Sequence, residues 1–431
     1  MKAAKAMKPV YVHPSDLRGY SHLAIQATLG VTDLVEAMHH TILRLPSPTA
    51  KHVGKPASRL HRTVDTSLRH TSGWVYRLIR GATNLVGGGL DAALGQLKPE
   101  LDAMESSAER ATILAIVNGV LGDHMAAHNN PLTIQMGWRK DGKSLPLTPQ
   151  ALTAAWPTTS GKILVLLHGH CMNEMQWTRN GHNHGAVLAA SSGYTPMVLR
   201  YNTGLHISAN GRALAEQLEQ LVNAWPVPVS DICIVGYSMG GLLARSAFYY
   251  GEQAAHQWMP RVGKLFFVGT PHHGSMVERA GNLVDVALSV SPYSRALSRL
   301  GKIRSAGTTD LRFGNLVDQD WAGRDRFAPG SDPRQPLPLP AHVQCYAIAA
   351  MLAKNHGAMP DKWLGDGLVP VDSALGRHND APHTLALPVQ HQKVFPETSH
   401  LGLLDSPAVC SQLQAWFDAP RPAAEGHSGA V

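Results

Sequence analysis

Residues 231–250, DICIVGYSMGGLLARSAFYY, combine an apolar run, a serine between glycines and a helical pattern. The run up to Tyr237 is typical of a strand buried in a parallel sheet, and the residues after Gly240 have helical periodicity. A sharp turn from strand to helix needs small residues beside the serine, and Gly236 and Gly240 meet this need. The stretch therefore predicts that Ser238 is an exposed nucleophile. The alternative is a glycine-rich turn that is structural or holds a phosphate.

Five further strand candidates, most of them apolar runs, alternate with helical segments along the chain. They are KILVLLHG at 162–169, TPMVLRYN at 195–202, KLFFVGTP at 264–271, VQCYAIAA at 343–350 and HQKVF at 391–395. Strands that alternate with helices predict an α/β fold, in which helices cover both faces of a mainly parallel sheet. Upstream of them, the turn-favouring pair Asp141-Gly142 predicts a hairpin.

The character of the sequence changes near residue 131, which suggests a domain boundary. Residues 1–130 predict an N-terminal helical region, and residues 131–418 predict the α/β domain. An amphipathic segment at 73–97 favours a helix packed on the main domain, with contact to a membrane surface or substrate as the alternative. The interval at about 275–341 is too long for a plain loop and predicts an inserted helical cap or lid. The tail at 419–431 is expected to be disordered.

The composition excludes several classes of protein. Of the 431 residues, 44% are hydrophobic and 16% charged, as in a globular enzyme and unlike a disordered chain. The net charge of +7 is dispersed, which argues against a nucleic-acid partner. Neither a signal-peptide pattern nor an apolar run of about 18 residues occurs. We therefore expect a soluble, cytoplasmic protein, with peripheral membrane contact as an alternative.

A serine nucleophile needs a base and an acid, and the late part of the chain offers both. His400 follows the strand candidate HQKVF, so its loop is expected at the carboxyl edge of the sheet. An acid must orient the imidazole and stabilise its protonated form. Asp366, in the exposed turn motif GDGLVP, is the preferred candidate, with Asp361 and Asp372 as rivals.

Two backbone amides are needed to stabilise the oxyanion that forms during acyl transfer. The residue after the nucleophile, Met239, supplies one of them in this arrangement. The loop after the strand KILVLL supplies the other, and the amide of His170 is the candidate. The side chain of His168 is then expected to shape this loop.

Five segments carry a resemblance to a known family. LLHGH, GYSMGG, GTPHHGS, GDGLVP and TSHLGLLD occur in the order and spacing of α/β-hydrolase lipases and esterases. Over about residues 160–415 the chain resembles this superfamily, and within it the branch of GPI inositol-deacylase-like proteins. The resemblance implies an α/β-hydrolase fold. It also implies that Ser238, Asp366 and His400 are nucleophile, acid and base.

The same resemblance extends to the rest of the site. It implies that the amides of His170 and Met239 form the oxyanion hole. It further places His273 and Gly274 at the substrate pocket, with a purely architectural role in their loop as the alternative. Cys171, the residue after His170, is a third candidate for this pocket.

The favoured function is hydrolysis of carboxylic esters of a small molecule or lipid, through a Ser-His-Asp triad and an acyl-enzyme. No cofactor is predicted. The same triad also serves amidases, thioesterases and acyltransferases, so these reactions remain alternatives. A non-catalytic hydrolase scaffold that binds a partner is a third hypothesis.

Histidine pairs raise the question of a metal. His182 and His184 lie in RNGHNHG, and His272 and His273 lie in PHHG. The four cysteines are far apart, and no carboxylate and cysteine set accompanies either pair, so we predict no metal site. The histidines are expected to be solvated or hydrogen-bonded in loops.

Overall fold

The computed structural model describes residues 18–19, 21–25, 108–275, 304–328, 330–354 and 365–420. A single sheet runs through this part of the chain. Its strands are β1 Gly137–Lys140, β2 Lys143–Ser144, β3 Lys162–Leu167, β4 Thr195–Arg200, β5 Asp231–Tyr237, β6 Val262–Val268, β7 Gln344–Ala350 and β8 Gln392–Phe395. Their order across the sheet is β2-β1-β4-β3-β5-β6-β7-β8.

The pairing of the strands agrees with the mainly parallel sheet and the hairpin that the sequence predicts. From β4 onward across the sheet, the five pairs β4-β3, β3-β5, β5-β6, β6-β7 and β7-β8 are all parallel. Strand β1 is antiparallel to both β4 and β2, and its turn to β2 contains Asp141 and Gly142. The six predicted strand segments and the predicted hairpin are confirmed.

The helices lie mainly between the strands along the chain. They are α1 Ala108–Ala127, α2 Pro149–Ala155, α3 His184–Ser192, α4 Ile207–Ala224, α5 Met239–Gln253, α6 Ala306–Asp310, α7 Val371–Ala374 and α8 Pro407–Asp418. Short 3-10 turns include Glu174–Trp177, Asp318–Asp320 and Leu401–Leu404.

The sheet separates two apolar layers. Along β3, alternate side chains point to opposite faces, as in any strand. Ile163, Val165 and Leu167 belong to the layer that includes helices α4 and α5, whereas Leu164 and Leu166 belong to the layer that includes α3 and α8. Helix α4 packs against α5, and α3 packs against α8. Because both faces are covered, the central strands β5 and β6 are buried along their whole length.

The chain divides into two compact units. The larger comprises Ser106–His124, Ile134–Leu283 and Arg304–Val431 and contains the whole sheet, so it begins upstream of the predicted boundary at residue 131. The smaller comprises Met1–Glu105, Met125–Thr133 and Val284–Ile303. In its described part, the Asn130 side-chain amide donates to the carbonyl of Gly19 at 3.1 Å.

Some predictions fall on residues that the structure does not describe. Of the predicted cap at 275–341, the described part contains α6 and the 3-10 turn Asp318–Asp320 but is otherwise turns and extended chain. Residues 276–303, Asp361, most of 1–107 and 421–431 lie outside the described residues. The cap, the N-terminal helical region and the disordered tail therefore stay predictions. No described helix is both long and apolar enough to cross a bilayer.

Candidate active site

Ser238 lies at the turn between strand β5 and helix α5. Its backbone has φ 53° and ψ −124°, a left-handed conformation that is uncommon for a residue with a side chain. The amide of Ser238 donates to the carbonyl of Val268 at 2.8 Å, and its carbonyl accepts from the amide of Gly241 at 3.0 Å. These hydrogen bonds hold the strained turn against the end of strand β6, as is typical of a functional site.

The glycines beside Ser238 are required by close packing. A Cβ atom on Gly240 would lie 2.2 Å from the carbonyl oxygen of Leu167, at the end of strand β3. A Cβ atom on Gly236 would lie 2.6 Å from the Cα atom of Gly241. Both distances are far inside van der Waals contact, so no larger residue fits without movement of the backbone. The prediction that this turn needs residues without side chains is confirmed.

The loop after strand β3 passes directly beside Ser238. A Cβ atom on Gly169 would lie 3.1 Å from the Cβ atom of Ser238. The neighbouring His168 is buried, and its ring stacks on Tyr201 with centroids 4.3 Å apart. The Tyr201 hydroxyl also donates to the carbonyl of His168 at 2.8 Å. Burial lowers the pKa of His168 to about 4, so its ring is neutral near pH 7.

Asp366 and His400 are in direct contact in the buried interior of the site. Nδ1 of His400 lies 2.7 Å from Oδ2 of Asp366, and the residues are 5% and 2% exposed. The other carboxylate oxygen, Oδ1, accepts from the amides of Leu368 at 3.0 Å and Val369 at 2.8 Å. Three hydrogen bonds therefore fix the carboxylate, which in turn orients the imidazole. The rival Asp372 has an exposed side chain 3.6 Å from Arg377.

The imidazole of His400 lies beside the turn that holds Ser238. A Cβ atom on Gly269 would lie 3.1 Å from Cε1 of His400, and Gly269 follows the Val268 carbonyl that binds the Ser238 amide. The hydroxyl of Tyr237, the residue before Ser238, donates to the His400 carbonyl at 3.0 Å. The rings of Tyr237 and His400 are 5.0 Å apart between centroids.

The topology of the sheet explains why these segments meet. Strand β3 lies between β4 and β5, so the chain leaves β3 toward one side of the sheet and leaves β5 toward the other. Such a reversal opens a crevice at the carboxyl ends of the two strands, where ligands bind in open α/β sheets. The loop at 168–171 directly follows β3, and Ser238 directly follows β5, so both lie at these carboxyl ends.

The two predicted oxyanion donors, the amides of Met239 and His170, lie in different elements of the structure. Met239 is the first residue of helix α5, and the first amides of a helix have no partner within the helix. His170 follows Gly169 in the loop that contacts Ser238. The Nε2 atom of the His170 side chain lies 3.1 Å from the hydroxyl of Thr308. Burial lowers the pKa of the His170 ring to about 4.

Cys171, a predicted pocket residue, packs against helix α1. It has a positive φ of 57°, and its amide donates to the Thr203 hydroxyl at 3.1 Å. A Cβ atom on Gly119 would lie 2.3 Å from the Cys171 sulfur. Burial raises the pKa of the thiol to about 11, so it is not a thiolate near pH 7.

His273 and Gly274, the other predicted pocket residues, belong to a buried polar network. The His273 amide donates to the Ser373 hydroxyl at 3.0 Å, and that hydroxyl donates to the Gly274 carbonyl at 2.9 Å. His273 also borders a cavity of about 20 Å³ between Arg245 and Arg334. This volume holds about one water molecule and no acyl chain. Burial and the nearby Arg334 lower the pKa of His273 to about 3.

Sequence reasoning missed several residues that hold the site together. The Tyr237 hydroxyl donates a hydrogen bond to the backbone carbonyl of His400. The position of Tyr237 directly before Ser238 in the sequence does not predict this contact. Helix α1 contacts the loop at 168–171 through Gly119 and Cys171, and the Ser305 hydroxyl donates to the Gly119 carbonyl at 2.5 Å. Arg326 binds Asp123 of the same helix at 2.7 Å. These contacts join segments that are far apart in the chain, so no local sequence pattern predicts them.

One family model and several solved structures are similar to parts of this chain. A family model described as a domain of unknown function, DUF7379, matches residues 130–310. Among curated protein sequences, none matches the chain. The mature form of the lipase BlEst2 from Bacillus licheniformis is similar at 17% identity, over 59% of this chain and 91% of the lipase, with a TM-score of 0.38. In its propeptide form the similarity spans about half, 52%, of that chain.

Two further solved structures are similar at lower identity. The Pyrococcus furiosus esterase PF2001 shares 12% identity over 60% of this chain and 81% of its own, with a TM-score of 0.33. The Staphylococcus hyicus lipase shares 12% identity over 60% of this chain and 94% of its own, with a TM-score of 0.30. At such identities the likeness concerns architecture alone, and the resemblance to GPI inositol-deacylase-like proteins stays a prediction. The mainly parallel sheet of eight strands, with helices on both faces, is consistent with the predicted α/β-hydrolase fold.

Proposed function

We propose that this protein is a serine hydrolase that cleaves carboxylic esters, with Ser238 as nucleophile, His400 as base and Asp366 as acid. The observation that carries the proposal is the buried 2.7 Å contact between Asp366 and His400. It lies beside a strained serine turn at the carboxyl edge of a parallel sheet. A triad is recognised by this geometry and by the roles of its members, since fold alone does not imply function.

The first step is attack by Ser238 on the ester carbonyl. Because Nδ1 of His400 donates to Asp366, the lone pair of the neutral ring is on Nε2. Nε2 takes the proton of the Ser238 hydroxyl as the oxygen bonds to the carbonyl carbon. The carbonyl electron pair moves to its oxygen, and the amides of Met239 and His170 stabilise that charge.

The second half of the reaction releases the products. The tetrahedral intermediate collapses, the bond to the alcohol oxygen breaks, and the alcohol leaves with the proton from His400. Water then attacks the acyl-enzyme through the same base, and the acid is released as Ser238 regains its proton. The imidazolium that forms in each half is stabilised by the Asp366 carboxylate.

The substrate class follows from the length of the interval at 275–341. An inserted cap of that length over the crevice would enclose an apolar pocket, so we propose medium or long acyl chains. The same residues serve amide or thioester cleavage and transfer to an alcohol, and these reactions are outcomes of the test below.

The proposal is tested with nitrophenyl esters of increasing acyl length and with a fluorophosphonate probe. We expect the wild-type protein to react with both, with kcat/KM rising with chain length. Ser238→Ala should lose hydrolysis and labelling, whereas Ser411→Ala, which removes an exposed helix hydroxyl, should keep both.

Other results would assign the protein differently. A folded wild-type protein that neither labels nor hydrolyses would be a non-catalytic scaffold. Preferential formation of a transesterified product with added alcohol would make it an acyltransferase. Faster turnover of matched amides or thioesters than of esters would assign it to those classes.

A further inference from the structure

His182, His184 and Cys410 form a cluster on the face of the sheet that carries helices α3 and α8. One ligand atom from each residue lies within 4.8 Å of those of the other two. His184 is 1% exposed and Cys410 is 5% exposed, while His182 is half-buried. The sequence showed the two histidines without a cysteine, and the fold brings Cys410 beside them.

The hydrogen bonds of His184 orient its ring as they would for a metal ligand. Nε2 of His184 lies 2.8 Å from the carbonyl oxygen of Leu403, so Nε2 carries the hydrogen and donates it. The lone pair is then on Nδ1, which faces Nε2 of His182 at 2.7 Å. Metal-binding histidines typically donate their second ring nitrogen to a carbonyl or carboxylate in this manner.

The segments around the cluster are held in place on both sides. Arg179 and His182 exchange two backbone hydrogen bonds of 2.8 Å, which close the loop that bears His182. The carboxylate of Asp405 binds Nε of Arg179 at 3.2 Å and Nδ2 of Asn180 at 2.5 Å. The loop is thereby fastened to the start of the segment that leads to Cys410.

We propose that His182, His184 and Cys410 bind a zinc ion. Two imidazole nitrogens and a thiolate suit Zn²⁺, whereas Mg²⁺ and Ca²⁺ prefer oxygen ligands. In a tetrahedral zinc site the ligand atoms lie about 3.3–3.6 Å apart, so the His182 ring moves outward slightly when the ion binds. A water molecule completes the coordination of the zinc ion. The ion enters from the side of the cluster at which His182 is half-buried.

Zinc binding changes the protonation of the cluster in a defined way. The hydrogen on Nε2 of His182 moves to Nδ1 of the same ring, which leaves a lone pair for the metal. The Cys410 thiol, whose pKa burial raises in the metal-free protein, loses its proton to solvent as the Zn–S bond forms. One proton is released for each ion bound.

The ion would join the loop at 182 and the N-termini of α3 and α8 to the turn Leu401–Leu404. This turn directly follows His400, and its Leu403 carbonyl is already held by His184. The site would therefore stabilise the segment that carries His400 without taking part in the reaction.

Cobalt(II) titration tests the site, because a thiolate bound to Co²⁺ gives an intense near-ultraviolet absorption that does not depend on enzymatic activity. For the full-length protein stripped of metal, we expect one Co²⁺ per chain, tetrahedral visible bands and displacement by Zn²⁺. Cys410→Ser should lose the near-ultraviolet band. The matched control is Cys345→Ser, at a cysteine that is 6% exposed and lies in strand β7; it should keep the band.

His182→Ala supplies a second test, because this residue is half-buried and its loss is less disruptive to folding. We expect its zinc affinity to fall at least tenfold in a chelator competition, with circular dichroism unchanged. The proposal is overturned if the wild-type protein binds no stoichiometric Co²⁺. It is also overturned if Cys410→Ser keeps the thiolate band, or if His182→Ala binds zinc as tightly as wild type.

Discussion

Asp366 and His400 are joined twice, by side chain and by backbone. Besides the 2.7 Å contact between Oδ2 and Nδ1, the amide of His400 donates to the carbonyl of Asp366 at 3.0 Å. The loop that follows strand β7 and the loop that follows strand β8 are therefore joined at the residues that we propose as acid and base. A base and an acid that share a backbone hydrogen bond need no rearrangement to act together.

The first prediction separates Asp366 from its exposed rival. Asp366→Asn should lower kcat by about 10³–10⁴-fold, because the amide no longer stabilises the imidazolium and favours the wrong tautomer. Asp372→Asn, at a side chain 59% exposed, should change kcat by less than about twofold. Measurement of kcat for ester hydrolysis by the two purified variants shows which aspartate is the acid. An inactive Asp372→Asn beside an active Asp366→Asn would reassign the acid.

The second prediction concerns the hydroxyl of Tyr237. Tyr237→Phe removes the 3.0 Å hydrogen bond to the His400 carbonyl but keeps the ring against the imidazole. We expect the free energy of unfolding to fall by about 0.5–1.5 kcal/mol, the net value of such a bond. The His400 carbonyl keeps its contact with the Leu403 amide at 3.3 Å, so it is not left without a donor.

Urea denaturation measures this change, and kcat should fall by no more than about tenfold, because Tyr237 positions the base and does not touch the reacting atoms. A loss of kcat as large as that of Asp366→Asn would contradict this positioning role.

The third prediction addresses the packing of the nucleophile turn. Gly240→Ala places a Cβ atom 2.2 Å from the Leu167 carbonyl oxygen, so the turn must move. We expect a loss of about 3 kcal/mol in the free energy of unfolding, or failure to fold. As a control, Gly330→Ala adds a Cβ atom with nothing within 4 Å and should change stability by less than about 0.5 kcal/mol. Equal effects of the two variants would disprove the packing argument.

The fourth prediction is a dependence of stability on pH. Burial lowers the folded-state pKa of His168 and of His170 to about 4, below the ordinary value of 6.5. Between these values the unfolded chain binds protons that the folded chain does not. The free energy of unfolding should therefore fall as the pH decreases from about 6.5 to about 4, by up to about 1.4 kcal/mol per pH unit for each group.

His168→Asn tests this contribution, because the asparagine amide replaces Nδ1 without titrating. Urea denaturation at several pH values should show a slope smaller by about one proton in the variant. An unchanged slope would show that burial of His168 is not a source of the acid sensitivity.

Local patterns were sufficient for much of the fold and for the central residues of the site. The central strands β3, β5 and β6 are nearly continuous apolar runs because both of their faces are buried, so each can be located from its own residues. Ser238 could be predicted as a candidate nucleophile because the glycines on either side of it indicate a turn that is too tight for side chains. Asp366 and His400 could be placed because parallel strands bring their following loops to one edge of the sheet.

Other contacts had no local signal. The Tyr237 hydroxyl reaches His400 across 163 residues of chain, and the Cys171 sulfur meets Gly119 of a helix that precedes the sheet. Such contacts depend on how loops pack in three dimensions, and a residue's neighbours in sequence do not reveal them.

The sequence by itself determined the α/β class and the order of the strands along the chain, and it predicted the serine and histidine of the candidate site together with three candidate aspartates. These follow from periodicity and from the steric demands of one turn, both of which are local. Only the tertiary structure decided which aspartate meets His400 and that Cys410 joins His182 and His184. Those pairings require segments far apart in the chain to be adjacent, and adjacency is set by the packing of the sheet and its helices.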